Sequence, residues 1–223
     1  MFDRFKCTTD NYNLLYARYL ERSGTLLDMC GWTPGMDLLD LCGGTGAVST
    51  EAMRRGAPFN SVTLMDLNAR CKTPGVHQIN VDVDRMFLNE RAVDWCSRFD
   101  RIVCRQAMAY LNLRGHEGEA LVSWLAAMLK PGGSLAFNLF YWPKTAKVGR
   151  WFHKKYEHYG VEYQEFALRF RGRVYHIQYS PSFGTDFTSF FAYENRDLEV
   201  FHLHFHCEVE VSGVSQRWVC VKK

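Results

Sequence analysis

Leu38-Leu39-Asp40-Leu41-Cys42-Gly43-Gly44-Thr45-Gly46-Ala47-Val48-Ser49 decides the fold. Its first half is a short apolar run of strand type. Its second half is a glycine turn, followed by small residues that can open a helix. Gly43, Gly44 and Gly46 are expected to clear side chains from places where a ligand lies against the backbone. The N–H groups that start the next helix would then face that ligand. Asp40 puts a carboxylate at the mouth of the turn. It would repel a phosphate and hold an ammonium group. The loop therefore reads as a binder of a nucleotide-like ligand that also carries a cation.

The segments that follow extend this unit. A helix is predicted from about Ala47 to Arg55, stopped by Gly56. Ser61 to Asp66 is a second strand, and Asp66 stands twenty positions after Gly46. A carboxylate at that distance in a strand–loop–helix–strand unit reaches the two hydroxyls of a ribose. Val76 to Val81 is a third strand and leads to Asp82, next to where a base would sit. Residues 85–98 read as a peripheral helix. Phe99 to Arg105 is a fourth strand, and Gln106 leaves it at the carboxyl edge of the sheet, where open α/β sheets bind ligands. A helix over Gly115–Leu129 is broken by Lys130-Pro131-Gly132-Gly133, and the fifth strand runs from Ser134 to Leu139. This alternation predicts a parallel sheet with helices on both faces.

The flanks differ in rhythm. Residues 8–30 read as a helix rich in tyrosine. Residues 1–32 are expected to be a helical flap over the glycine loop, or a helix packed on the sheet. After the aromatic exit Phe140-Tyr141-Trp142-Pro143, residues 144–159 read as a lid helix with its lysines and arginines outside. Residues 161–192 alternate polar and aromatic side chains, a strand pattern. A helix is expected near Asn195 and a hairpin over Cys207–Val211 and Gln216–Val221. With the hairpin, the fold class is α/β: a doubly wound, mostly parallel, seven-stranded sheet closed by a C-terminal antiparallel pair. No repeat or linker divides residues 1–223, which predicts one domain with a lid or substrate region over 140–192.

The bulk numbers agree. The chain has 223 residues, 47% hydrophobic and 23% charged, as for one domain with its own core. A net charge of +3 without a long basic run does not point to nucleic acid. Charges interrupt the first residues, so no signal peptide is expected, and no stretch approaches the ~20 apolar residues of a membrane span. The eight cysteines lack a C-x-x-C pair and read as reduced thiols in a cytoplasmic protein.

Asp40-Leu41-Cys42-Gly43-Gly44-Thr45-Gly46 with Asp66 resembles the S-adenosylmethionine site of class I, Rossmann-like methyltransferases. Phe99-Asp100-Arg101-Ile102-Val103, Leu129-Lys130-Pro131-Gly132-Gly133-Ser134 and the closing hairpin match in the family's order. The third glycine of a dinucleotide fingerprint is missing, and Asp40 suits an amino acid better than a pyrophosphate. The resemblance implies S-adenosylmethionine as cofactor and no metal. It would place Asp40, Cys42, Gly43, Gly44 and Gly46 near the methionine part and Asp66 on the ribose, with Leu67 also among the cofactor-binding residues. Asp82 and Val83 would flank adenine, and Gln106 would form the floor. Tyr12 or Tyr16 could close over the methionine carboxylate.

The implied reaction is an SN2 transfer of the sulfonium methyl, in which the protein aligns the partners and excludes water. Asn138, at the end of the fifth strand, with Tyr141 and Tyr175, are the candidates for orienting the acceptor; His176 could also take its proton. The expected partner is a small molecule, with no membrane and no stated oligomer. A second reading keeps the cofactor as substrate. In azetidine-2-carboxylate synthases of this fold, its amino group attacks its own γ-carbon and releases methylthioadenosine. A third is a non-catalytic binder of the cofactor. His202, His204 and His206 would share a face if they lay on one strand, as a metal site would require, but the family's last helix would scatter them.

Overall fold

The structure is a computed structural model that describes residues 23–86, 90–140, 149–212 and 215–223. These fall into two compact units, 23–140 with 194–223, and 149–193. Tyr12, Tyr16, Tyr141 and Cys7 lie outside the described residues.

The larger unit opens with α1 (Ser23–Met29), which falls within the helix expected over residues 8–30. Then come β1 (Leu38–Leu41), α2 (Ala47–Arg54), β2 (Val62–Asp66) and β3 (Val76–Asn80). Residues 85–98 do not form the single helix expected. A four-residue α3 (Val83–Met86) is followed later by a 3-10 turn at Glu90–Trp95. The pattern resumes with β4 (Phe99–Cys104), α4 (Gly115–Met128) and β5 (Leu129–Phe140). β5 begins five residues earlier than the glycine break suggests. Phe99 pairs with Leu129 before Lys130–Gly133 slip the register to Arg101↔Ser134.

The strands pair in parallel as β3-β2-β1-β4-β5. All four residues of β1 are buried, which is why it reads as an unbroken apolar run. The order runs outward in both directions from β1 and β4. Right-handed crossovers therefore put α2 and α4 on opposite faces, and a crevice opens at the carboxyl ends of β1 and β4. On one face Leu26, Leu27 and Trp32 pack with Leu38, Val48, Ala52 and Val62. Among the buried aromatics, Phe137 of β5 meets Phe201 and Trp218 at ring separations of 4.9 and 5.7 Å. Burial of such side chains contributes about 2–3 kcal/mol each.

Besides its strands 205–222, the C-terminal part of this unit holds a short helix at Asn195–Leu198 and a 3-10 turn at Glu199–Leu203. The hairpin strands Phe205–Ser212 and Ser215–Lys222 pair antiparallel, and the second joins β5, completing seven strands. Cys207 and Cys220 stand opposite each other in that hairpin and are joined by a disulfide, their Cα atoms 4.0 Å apart. The all-thiol reading is corrected here. Strand register creates the pair, and no sequence motif announces it. Cys30, Cys42, Cys71, Cys96 and Cys104 remain free thiols.

The smaller unit is a four-stranded antiparallel meander, β6 (Trp151–His158), β7 (Val161–Phe170), β8 (Arg173–Ser180) and β9 (Gly184–Phe191). The lid helix expected over 144–159 is therefore wrong where it is described. Tyr159 and Gly160 both have positive φ, 50° and 72°, as do Arg171 and Gly172, 49° and 74°. Two such residues in succession make the type I′ turn that fits a tight hairpin. The first of these turns draws Trp151–His158 onto Val161–Leu168 as a paired strand, and the second joins β7 to β8. One face of the meander, with Val174, His176, Gln178, Ser180, Asp186 and Thr188, is buried.

Candidate active site at the carboxyl edge of the parallel sheet

Asp40 sits inside the crevice end of β1 with only 1% of its surface exposed. Ser49, in the first turn of α2, donates to its Oδ2 from the backbone N–H at 3.0 Å and from Oγ at 2.7 Å. Asp40 Oδ1 is buried and has no hydrogen-bond partner among the described residues. Burial pushes its carboxyl up to about 6, against the pull of the two Ser49 bonds. Such a group calls for a cationic or donating ligand.

The glycine loop is built differently from its reading in the sequence. A Cβ on Gly43 would fall 2.5 Å from the Asp40 carboxyl carbon. One on Gly46 would meet the Cys71 thiol and Leu64. These two glycines make room for the protein itself. Gly44 is the open position, with φ +55° and only Asp66 Oδ2 at 4.0 Å from an added Cβ. Gly46 also has positive φ, 76°, and serves as the N-cap of α2. Cys42 has left-handed φ too, 53°, and its N–H is held by the Met65 carbonyl at 2.6 Å.

Asp66 closes the end of β2. Its Oδ2 accepts from Gly44 N–H at 3.0 Å and its Oδ1 from Asn68 N–H at 2.7 Å. Each oxygen keeps a second lone pair for a ligand hydroxyl. Burial raises this carboxyl as well. Leu67 beside it is nearly half exposed, an apolar surface at the rim. Past β3, Asp82 lies within 3.8 Å of Arg85, and Val83 is buried. Asp84 Oδ1 accepts from Asn112 N–H at 3.1 Å.

At the end of β4, Gln106 is a further non-glycine residue with left-handed φ at this edge, 58°. Its N–H donates to Asn138 Oδ1 at 2.8 Å. Cys104 lies beside Cys42, and this contact together with burial holds the Cys42 thiol well above its usual range. A thiol kept protonated in this way is a small apolar filler.

Of the sequence-predicted residues, Asp40, Cys42, the three glycines, Asp66, Leu67, Asp82, Val83, Gln106 and Asn138 all belong to this unit. Tyr175 belongs to the meander, where alternation puts it on the opposite face from His176. His176 Nε2 is 3.0 Å from Glu165 Oε1. His202 and His206 fall in different elements, with His204 between them. Among the described residues no three histidine, cysteine or acidic side chains group as metal ligands do. The sequence reading missed Ser49. Its position nine residues after Asp40, at the first helical turn, is the only sign of its role.

A family model described as a methyltransferase domain matches residues 10–176, three quarters of the chain. The chain belongs to the methyltransferase-domain family. Solved structures with a similar fold include DesVI from Streptomyces venezuelae, with 19% identity, TM-score 0.64 and coverage of 96% of this chain and 98% of that one. CalS10 from Micromonospora echinaspora, an amino pentose methyltransferase solved with S-adenosylmethionine bound, shows 18% identity, TM-score 0.61 and coverage of 94% and 92%. The sugar N-methyltransferase KedS8 from Streptoalloteichus shows 17% identity, TM-score 0.60 and coverage of 98% and 95%. No curated protein sequence matches the chain.

The methyltransferase domain takes S-adenosylmethionine as its cofactor, and its residues fit that molecule. The unpaired Asp40 Oδ1 suits the ammonium group, Gly44 leaves the backbone open, and Asp66 has lone pairs for ribose hydroxyls. Bound there, S-adenosylmethionine supplies an electrophilic methyl on a sulfonium. Among the described residues, no helix is long and apolar enough to cross a membrane.

Proposed function

We propose that this methyltransferase transfers the sulfonium methyl of S-adenosylmethionine to a nucleophilic atom of a small molecule by SN2 displacement. The observation that carries the reading is an Asp40 oxygen that is buried and unpaired among the described residues, in a loop whose Gly44 is open, in a methyltransferase fold. An amino-acid cation is the ligand that satisfies both. We assign Asp40 to the ammonium group, Asp66 to the ribose, and Leu67 with Asp82 and Val83 to the adenine.

The acceptor is read as a small polar molecule. The sugar methyltransferases among the structural neighbours work on molecules of that size and polarity. Five free thiols among the described residues fit a reducing cytoplasm, with the Cys207–Cys220 bond as the exception.

The test is incubation of the protein with methyl-labelled S-adenosylmethionine, alone and with panels of small amines and alcohols. Label transfer with release of S-adenosylhomocysteine supports the proposal. Methylthioadenosine formed without any acceptor would replace it with intramolecular cyclisation. Binding without turnover in every panel would leave a cofactor-binding protein.

A further inference from the structure

We infer that Asn138 is a positioning residue whose side-chain oxygen locks the end of β4 in the turned conformation that the S-adenosylmethionine site requires. This rests on the reading of this edge as the cofactor site.

Two strands that flank the crevice end on the same irregularity. Cys42 after β1 and Gln106 after β4 both have φ in the left-handed region, 53° and 58°. Ordinary side chains avoid that region, because Cβ crowds the carbonyl oxygen. Neighbouring outliers of this kind at a sheet's ligand edge mark imposed geometry.

The two are held by different means. Cys42 donates its N–H to the Met65 carbonyl of β2, a backbone partner that any sequence supplies. Gln106 donates to Asn138 Oδ1. The β4–β5 ladder has its last paired residues at Cys104 and Phe137, so the asparagine oxygen takes over where that pairing stops. Asn138 is a rigid anchor, because β5 pairs it on the other side with Arg217. Without that oxygen, Gln106 would keep the strained turn and lose the bond that fixes it. The chain just beyond, Ala107–Ala109, is buried and gives little room to relax elsewhere.

The same geometry separates positioning from direct handling of an acceptor. Positioning needs an oxygen at this point, which aspartate also supplies. An amide that donates to the acceptor needs its NH2, which aspartate lacks. A glycine in place of Gln106 adopts positive φ freely and should need no clamp.

The experiment combines Asn138→Ala, Asn138→Asp, Gln106→Gly and the double variant Asn138→Ala with Gln106→Gly. Two readouts are taken on the full chain: exchange of the Gln106 amide proton without ligand, and S-adenosylmethionine affinity by calorimetry. N138A should speed amide exchange and weaken affinity about tenfold, the size of a left-handed penalty on an ordinary residue. N138D should keep both within about threefold, and adding N138A to Q106G should change affinity less than about threefold. Exchange unchanged in N138A overturns the clamp. Equal loss of affinity when N138A is added to Q106G also overturns it, as does wild-type affinity in N138A with methyl transfer lost. If the unmodified protein binds no S-adenosylmethionine, the cofactor reading fails, and the exchange data alone decide whether the clamp exists.

Discussion

Ser49 holds Asp40 through two hydrogen bonds to a single carboxylate oxygen, 3.0 Å from its N–H and 2.7 Å from its Oγ. The other oxygen is left buried and unpaired among the described residues. One atom of the pair is structural and the other faces a task. On the proposed assignment, Asp40 costs stability in the free protein and contributes binding when a cation arrives.

Replacement by an isosteric amide separates the two. Asp40→Asn removes the buried charge and keeps the shape. The free protein should melt several degrees higher, and S-adenosylmethionine affinity should fall at least tenfold, the usual worth of a charge-assisted contact. Thermal melting and calorimetry check the two halves. A variant that loses stability without losing affinity contradicts this assignment.

The same carboxyl predicts a pH dependence. Its folded value near 6 lies above the unfolded value of about 4. Between those pH values the folded chain keeps a proton that the unfolded chain has released. Stability therefore falls as pH rises from about 4 to 6, by up to about 3 kcal/mol from this group. Cofactor affinity should move the opposite way and rise through pH 6 as the carboxylate ionises. Denaturation and binding titrations across that range test both signs, and D40N should flatten each.

The three glycines should fail differently. Gly44→Ala adds a methyl in open space at positive φ, so affinity should drop at least tenfold with a stability loss of only about 1 kcal/mol. Gly46→Ala drives a methyl into Cys71 and Leu64 and should cost roughly 2–3 kcal/mol of stability. Gly43→Ala collides with the Asp40 carboxylate and should damage both properties. Equal stability losses in all three variants would contradict the assigned roles.

The Cys207–Cys220 disulfide closes a short loop, with a sequence separation of 13. Cross-links of that span contribute about 3 kcal/mol. Reduction, or replacement of both cysteines by serine, should lower the melting temperature by roughly 6–12 °C in a chain of this size. An unchanged melting curve after verified reduction would show that the hairpin pairing alone holds these strands.

Much of the parallel sheet was legible in the chain. Its strands are short apolar runs between glycines, as Leu38–Leu41 before Gly43 shows, and local patterns of that kind do not depend on distant partners. The meander was half legible. The alternation over 161–192 marked strands. Residues 144–159 resembled a helix because their lysines and arginines fall at helical spacing. Trp151–His158 became a strand through the turn at Tyr159-Gly160 and the partner it folds back onto it.

The sequence by itself determined the class of fold and the family, and it placed Asp40, Gly44 and Asp66, the residues proposed for the cofactor, where one strand–loop–helix–strand unit dictates. Tertiary structure decided what each of them touches. The pairing of Asp40 with Ser49, the exclusion of side chains at Gly43 and Gly46 by Asp40 and Cys71, and the bond from Gln106 to Asn138 all need elements packed in space. So does the Cys207–Cys220 bond, which exists because two strands share a register. Local spacing sets which residues reach an edge of a sheet. Only packing sets which lone pair is left free when they arrive.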